Sequence, residues 1–343
     1  MLAASNTPNP RTRPVKSNPR FLLIALLAAA TVSLLAALGS GSMDMGSDDL
    51  LNALLGQKNA DPLASSVLWE LRIPRALAAF VTGGLLALAG VLMQVLLRNP
   101  LADPYILGVS GGAAVAVLSA MLAGIGAGHL AGIAFAGALG ALLLLYLFAQ
   151  RLDVWSSHSL LLTGVMLSAG WSALIGLLLS LSPETGVLEM LHWLMGDLSS
   201  ATLPLVGAPI LAIAAVMSWS LARPLNLLAQ GELRAQTLGV SVKPLQIALL
   251  LIASLLTASA VSIAGSVGFI GLVVPHLLRL LIGNQHRWLI PLSLLLGGTL
   301  LTLADTLART LIAPRELPVG VVTALLGVPL FLYLLHRSGA RRD

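Results

Sequence analysis

The side chains able to do covalent or metal chemistry are few in this chain, and their spacing supports none of the usual reactions. Six histidines, His129, His158, His192, His276, His286 and His336, are spread along 343 residues without ligand spacing, and no His-Glu-x-x-His segment sets two of them on one helical face. Cysteine is absent, which excludes thiolate metal sites, a cysteine nucleophile and disulfides. The three lysines, Lys16, Lys58 and Lys243, follow Val15, Gln57 and Val242, so no Gly-Lys-Ser/Thr loop exists to cradle a nucleotide phosphate. Gly265, Gly268 and Gly271 imitate a dinucleotide fingerprint but open an apolar helix with no strand before it, which points to close helix contact instead. Asp305 and Arg309 stand one helical turn apart, the spacing of a surface ion pair. No catalytic residue, metal site or cofactor is assigned to the chain.

The elements that would have to position any such groups are apolar. Hydrophobic residues make up 57% of the chain and charged residues only 10%, against about 25% charged in a soluble domain. A soluble enzyme is excluded. Ten apolar runs, uncharged except for Arg279 in the eighth, approach the roughly 20 residues that span a bilayer core. They are Phe21–Gly39, Ala76–Leu97, Tyr105–Gly124, Leu130–Gln150, Ser159–Leu181, Leu203–Ala222, Pro244–Ala264, Val267–Ile282, Trp288–Ala304 and Val319–Leu335, the eighth being short. The first run is read as a retained helix rather than a cleaved signal. With both termini in the cytoplasm only Lys58, Arg72, Arg75, Arg309 and Arg315 fall outside, and the other fourteen basic residues lie inside. The basic residues are scattered over many segments, which gives no support for nucleic-acid binding. The expectation is an all-α integral membrane protein, a ten-transmembrane-helix bundle. A cytoplasmic tail at 1–20 precedes one permease domain over 21–337, and a short tail follows at 338–343. Small residues at four-residue spacing, Gly132, Ala136 and Gly140 in the fourth run and Ser254, Ala258 and Ser262 in the seventh, predict close helix contacts.

Ion-coupled carriers bind their coupling ion at an intramembrane acid or histidine. Ala76–Leu97, Tyr105–Gln150, Ser159–Leu181 and Leu203–Ala222 contain no Asp, Glu, Lys or Arg, which disfavours the alternative of an ion-coupled secondary transporter. An intramembrane enzyme would need facing catalytic residues that are not there. The bundle must be a passive pore, a scaffold or the membrane half of a machine powered elsewhere. The longest internal cytoplasmic segment, RPLNLLAQGELRAQTLGVSVKP over 223–244, is far longer than a helix connection of about 2 to 8 residues. Gly231 and Gly239 divide it into two short helices. It reads either as a docking surface with Leu227, Leu228, Leu233 and Leu238 as anchors, or as an ordinary interfacial helix.

Five segments carry a family likeness: LRIPR from Leu71 to Arg75, AGVLMQVLLRNPLADPYILGVSGGA from Ala89 to Ala113, GELRAQTLGV from Gly231 to Val240, GSVGFIGLVVPHLLRLLIG from Gly265 to Gly283, and ELPVGVVTALLGVPLFLYLL from Glu316 to Leu335. Together they resemble the FecCD-type permeases, the membrane subunits of ABC importers for ferric siderophores, haem and vitamin B12. The resemblance covers about Arg72 to Arg337. It implies a subunit in the inner membrane that pairs with a second copy of itself. Two copies of an ATP-binding subunit, which hold ATP and magnesium, would lie below, and a periplasmic or lipid-anchored substrate-binding protein above, with membrane lipid around the whole.

The resemblance also implies roles for particular residues. Leu227, Leu228, Gly231, Glu232, Leu233, Arg234, Leu238 and Gly239 would meet the ATPase. Arg72, Arg75 and Arg309 would face acidic residues of the binding protein. Ser156, Ser157 and His158 would form a polar cytoplasmic gate, His158 standing where the family has a small residue. A short outer helix is expected within Pro183–Ser200, with His192 and Trp193 near the path entrance. Which cargo the chain serves is not readable from these motifs.

Overall fold

The computed structural model describes residues 18–41, 46–55, 61–151 and 157–339. Residues 1–17 of the tail expected at 1–20, Ser156 of the expected gate, and residues 340–343 of the tail expected at 338–343 lie outside them.

Every one of the ten apolar runs is helical. We label the helices α1 (Pro19–Gly39), α2 (Ile73–Leu96), α3 (Val109–Leu122), α4 (Leu130–Arg151), α5 (Ser157–Leu181), α6 (Gly207–Ser220), α7 (Val242–Ala264), α8 (Ile270–Ile282), α9 (His286–Thr310) and α10 (Val319–Gly339). Six helices among the described residues are long and apolar enough to cross a membrane, or seven if α6 and the following Ala222–Leu228, bent by 65°, count as one. The helices of the third, sixth and eighth runs are shorter than expected. Local backbone chemistry explains two of these. Before α3, Asp103 accepts from the Tyr105 amide at 2.8 Å and holds Pro104–Leu107 as a 3₁₀ turn, and Gly108 at φ +77° then restarts the chain as an α-helix. Before α8, Gly265 and Phe269 both take positive φ, so the helix begins at Ile270 rather than Val267. Fourteen and thirteen residues reach only about 20 Å of rise, less than the hydrocarbon core. The 3₁₀ turn before α3 meets the segment before α8 within the bundle, where the Tyr105 hydroxyl accepts from the Val267 amide at 3.1 Å.

α2 is the axis of the bundle. Nearly every residue from Ala76 to Leu96 is buried, and α2 contacts α7, α8 and α9. Glycine makes this possible at two crossings. A Cβ on Gly83 would overlap the backbone of Gly297 in α9, and one on Gly90 would overlap Gly271 in α8. The contact foreseen for Gly271 is therefore present. That foreseen for α4 is displaced: Gly132 and Gly140 meet nothing within the chain, and the buried stripe is Leu130, Ala134, Ala138, Ala141 and Leu145, with Gly137 against Gly112. Two positions along a helix is a rotation of about 200°, so the small-residue spacing was present but on the wrong face. In α7, Ser254 and Ala258 are buried as expected. α5 has only 11% of its apolar stretch buried, leaving most of it to lipid or another chain.

The ion pairs sort by the expected topology. Arg98 pairs with Glu232 at one end, and Arg75 pairs with Asp305 at the other. In each bond the partners come from segments assigned to the same side of the membrane.

Candidate functional site

Two polar constellations occupy opposite ends of the α2–α9 pair. At the end carrying Arg98, the chain leaves α6, bends, and forms an elbow helix, Ala222–Leu228, followed by a loop helix, Glu232–Thr237. Gly231 sits between them at φ +123°, ψ 149°, a conformation only glycine takes without strain. Gly239, at φ +82°, ends the loop helix.

Leu225, Leu228 and Ala235 are fully buried and fasten both short helices to the bundle. Of the four apolar anchors foreseen, Leu228 thus serves the interior and offers no surface, and Leu227 is half-buried against the core. Leu233 and Leu238 point outward, 80% and 58% exposed. Arg234 and Gly239 are exposed beside them. Glu232 turns inward: its Oε1 lies 3.2 Å from Arg98 Nη2 and accepts from Gln246 Nε2 at 3.1 Å. In the elbow helix Asn226 Oδ1 lies 3.0 Å from the backbone amide of His286 and 2.7 Å from its Nδ1, so the Nδ1–H tautomer donates to it. The loop is therefore tied to the end of α2 by Glu232 and to the start of α9 by Asn226. Nearby, Arg279 of α8 donates to Gln94 of α2, whose amide donates to the Leu272 carbonyl at 3.3 Å. Gln94 and Arg98 lie inside the Ala89–Ala113 segment and Asn226 inside 223–244, but neither segment assigns them or Gln246 a role; for Asn226, Gln246 and Gln94 the one local signal is a lone polar side chain between apolar ones.

At the opposite end the chain enters α2 through a π-helical stretch, Val67–Arg72, with Leu68 and Arg72 both buried. Arg72 Nη1 donates to the Leu38 carbonyl at 2.7 Å. Arg75 forks onto Asp305, Nε at 3.1 Å from both oxygens and Nη2 at 3.0 Å from Oδ1, and its Nη1 donates to Glu316 at 2.8 Å. Arg309 Nε lies 3.3 Å from Asp305 Oδ2, within ion-pair range but without hydrogen-bond geometry, and its Nη groups donate to Ser40 and Ala37 carbonyls at 3.2 Å each. The spacing of Asp305 and Arg309 had implied a surface pair, but the structure buries it, with Asp305 1% and Arg309 7% exposed. Three guanidinium groups are thus committed within the chain, closing α1 against α2 and α9. Glu316, 42% exposed at its side chain, and Arg315 are the charged groups that face out here.

Ser157 and His158 lie at the start of α5. The outer helix forms at Glu184–Leu194, with His192 exposed and Trp193 against the core. Among the described residues no three His, Asp or Glu side chains are grouped to hold a metal ion.

Comparison with known proteins places this geometry. The model of the FecCD transport family matches residues 26–337. The hemin transport system permease protein HmuU of Yersinia pestis is 39% identical over 339 residues, covering 95% of this chain and 98% of its own. The vitamin B12 import system permease protein BtuC of Vibrio cholerae is 40% identical over 284 residues, 80% of this chain and 84% of its own. A solved metal-chelate type ABC transporter in an inward-facing conformation superposes with a TM-score of 0.82 at 33% identity, over 93% of this chain and 100% of that one.

Proposed function

Because this chain belongs to the FecCD transport family and is a multi-pass permease subunit of an ABC importer, we propose that it moves a chelated-metal cargo across the inner membrane by alternating access. The cargo class is an iron-siderophore, haem or cobalamin. Support for that class comes from the relatives, whose names speak of hemin and vitamin B12, and from a solved neighbour described as metal-chelate type. The chain hydrolyses nothing itself. An ABC importer permease works with an ATP-binding subunit and a binding protein; in our reading two ATP-binding subunits, carrying ATP and magnesium, drive two copies of the chain.

One observation carries the coupling mechanism: two leucines, Leu233 and Leu238, are exposed on a loop otherwise sewn to the bundle. Burying a leucine is worth about 1.5–3 kcal/mol, so this pair is a natural anchor for the ATP-binding subunit. Arg234 and Gly239 border it, while Leu227, Leu228, Gly231 and Glu232 shape and hold the loop. A pull on the loop reaches α2 through Glu232–Arg98 and α9 through Asn226–His286. Those two helices touch at Gly83 and Gly297 and meet again at Arg75–Asp305 on the far side. They form a rod between the two faces, so motion below tilts the outer end as one body.

On the outer face Arg72, Arg75 and Arg309 outnumber Asp305 and Glu316, leaving the cluster positive. Committed as they are to internal bonds, these arginines act on an acidic binding protein through the field they create, which speeds and orients encounter. Ser156, Ser157 and His158 are kept as the cytoplasmic gate, and the open face of α5 as the side turned to the second copy and the path. The decisive experiment is co-purification of the chain with its ATP-binding subunit and cargo uptake in liposomes, with and without ATP. Uptake that needs the ATPase supports the reading; uptake that persists without it and collapses with the proton gradient overturns it in favour of an ion-coupled carrier.

A further inference from the structure

The cytoplasmic end holds a feature that neither the leucine pair nor the outer cluster uses. Two adjoining cavities, of about 580 and 520 Å³, open where α6 bends into the elbow helix and α9 begins, sharing Asn226, Gln285 and Trp288. The larger is also walled by Trp219, Arg223 and Arg287. No acidic residue lines either cavity, and among the described residues neither Arg223 nor Arg287 has a carboxylate partner. The Arg287 guanidinium instead lies 5.2 Å from the centre of the Trp219 ring. The 25-residue α9 begins in this wall; its N-cap Gln285 makes no capping bond with its own side chain, and although Asn226 Oδ1 takes the first amide, that of His286, the positive end of the helix dipole lies at the cavity. Ile213, Val216 and Met217, 61%, 69% and 48% exposed, continue from Trp219 up one side of α6 toward the bilayer interior.

We propose that this cavity binds the phosphate headgroup of an anionic phospholipid of the cytoplasmic leaflet, with its acyl chains along the exposed side of α6. Two unpaired guanidinium groups match a phosphodiester in charge and fork geometry. Asn226 and Gln285 supply neutral donors, and two tryptophans at one level mark the membrane interface. A free phosphate ion would use the arginines but has no need of the apolar strip, and the strip is continuous with the cavity. The site depends on the topology of the chain, not on its cargo. Bound there, a lipid would sit under the hinge between α6 and the coupling loop.

The test uses the full-length chain in mixed micelles, with phosphatidylglycerol and phosphatidylcholine brominated in their acyl chains. Tryptophan quenching reads contact, and native mass spectrometry counts retained lipid. Phosphatidylglycerol should bind about tenfold or more tighter than phosphatidylcholine. Arg223→Gln with Arg287→Gln should erase the preference without changing the unfolding temperature, since both side chains are exposed. Arg223→Lys with Arg287→Lys should keep most of it. Equal binding of the two lipids, or a preference untouched by the glutamine pair, overturns the proposal. Displacement by millimolar inorganic phosphate would make this a free-anion site, and expulsion of the lipid on adding the ATP-binding subunit would assign the surface to that protein; either result also overturns it.

Discussion

The two ends of the α2–α9 pair solve opposite problems. The outer end buries charge: Arg72, Asp305 and Arg309 are each less than 10% exposed, and the guanidinium groups of Arg72, Arg75 and Arg309 each end on a carboxylate or a backbone carbonyl of the same chain. The loop end exposes apolar surface: Leu233 and Leu238 stand out, while two polar ties and a few buried side chains hold the loop beneath them. A region that satisfies its own strongest groups is built to stay in one arrangement. One that leaves leucines in water is built to be covered. In the mechanism we propose, the charged end works as a clamp with a residual field, and the apolar end as a handle.

Several substitutions would break or sharpen this contrast. Asp305→Asn should have the largest effect, because it leaves Arg75 and Arg309 buried with only half-exposed Glu316 as counter-charge. Removing one partner of a buried ionic group costs about 3–5 kcal/mol, read as a marked fall in unfolding temperature in detergent. Glu316→Gln, at the exposed rim, should shift it little. If both variants unfold alike, the outer cluster is not a clamp.

Leu233→Asp with Leu238→Asp should come next and act in the opposite manner. Fold stability should hold, because neither side chain is buried, while association with the ATP-binding subunit weakens by about a hundredfold or more. Titration of the purified subunits by light scattering or calorimetry measures this, and unchanged affinity would turn the handle into a bystander.

How much of this was legible beforehand differs between the ends for a physical reason. Hydropathy located all ten helices, because a span must be apolar along its whole length. Gly231 and Gly239 marked the loop breaks, since each occupies a backbone conformation that other residues avoid. What could not be read was orientation around a helix. Leu228 and Leu233 look alike in a string, yet the elbow turns one into the core and the turn at Gly231 throws the other out. The same ambiguity put the small-residue contact of α4 on the wrong face. Burial of the outer arginines depends on α1 closing over them through carbonyls of Ala37, Leu38 and Ser40, and backbone acceptors leave no trace in residue type. The short α3 and α8 were longer in expectation because Pro104–Leu107 and Gly265–Phe269 are as apolar as the helices they precede.

Two smaller changes probe the ties rather than the handle. Asn226→Ala removes both contacts to His286 and leaves that buried ring without its partner, about 1–3 kcal/mol. Its signature should be ATP hydrolysis that persists while cargo moved per ATP falls. Glu232→Gln keeps an acceptor for Gln246 but loses the charge opposite Arg98, a partly exposed pair worth at most about 1 kcal/mol. The expected result is a modest loss of uptake that vanishes at high salt, where the wild-type pair is screened as well. A salt-independent loss would show that Glu232 touches the ATPase directly.

The most direct test reconstitutes the chain with its ATP-binding subunit and binding protein in liposomes and compares ATP-driven cargo uptake by the wild type and by Leu233→Asp with Leu238→Asp. The account predicts that the variant folds, inserts and keeps its unfolding temperature, yet neither retains the ATPase nor accumulates cargo. Full ATP-driven uptake by that variant would contradict it.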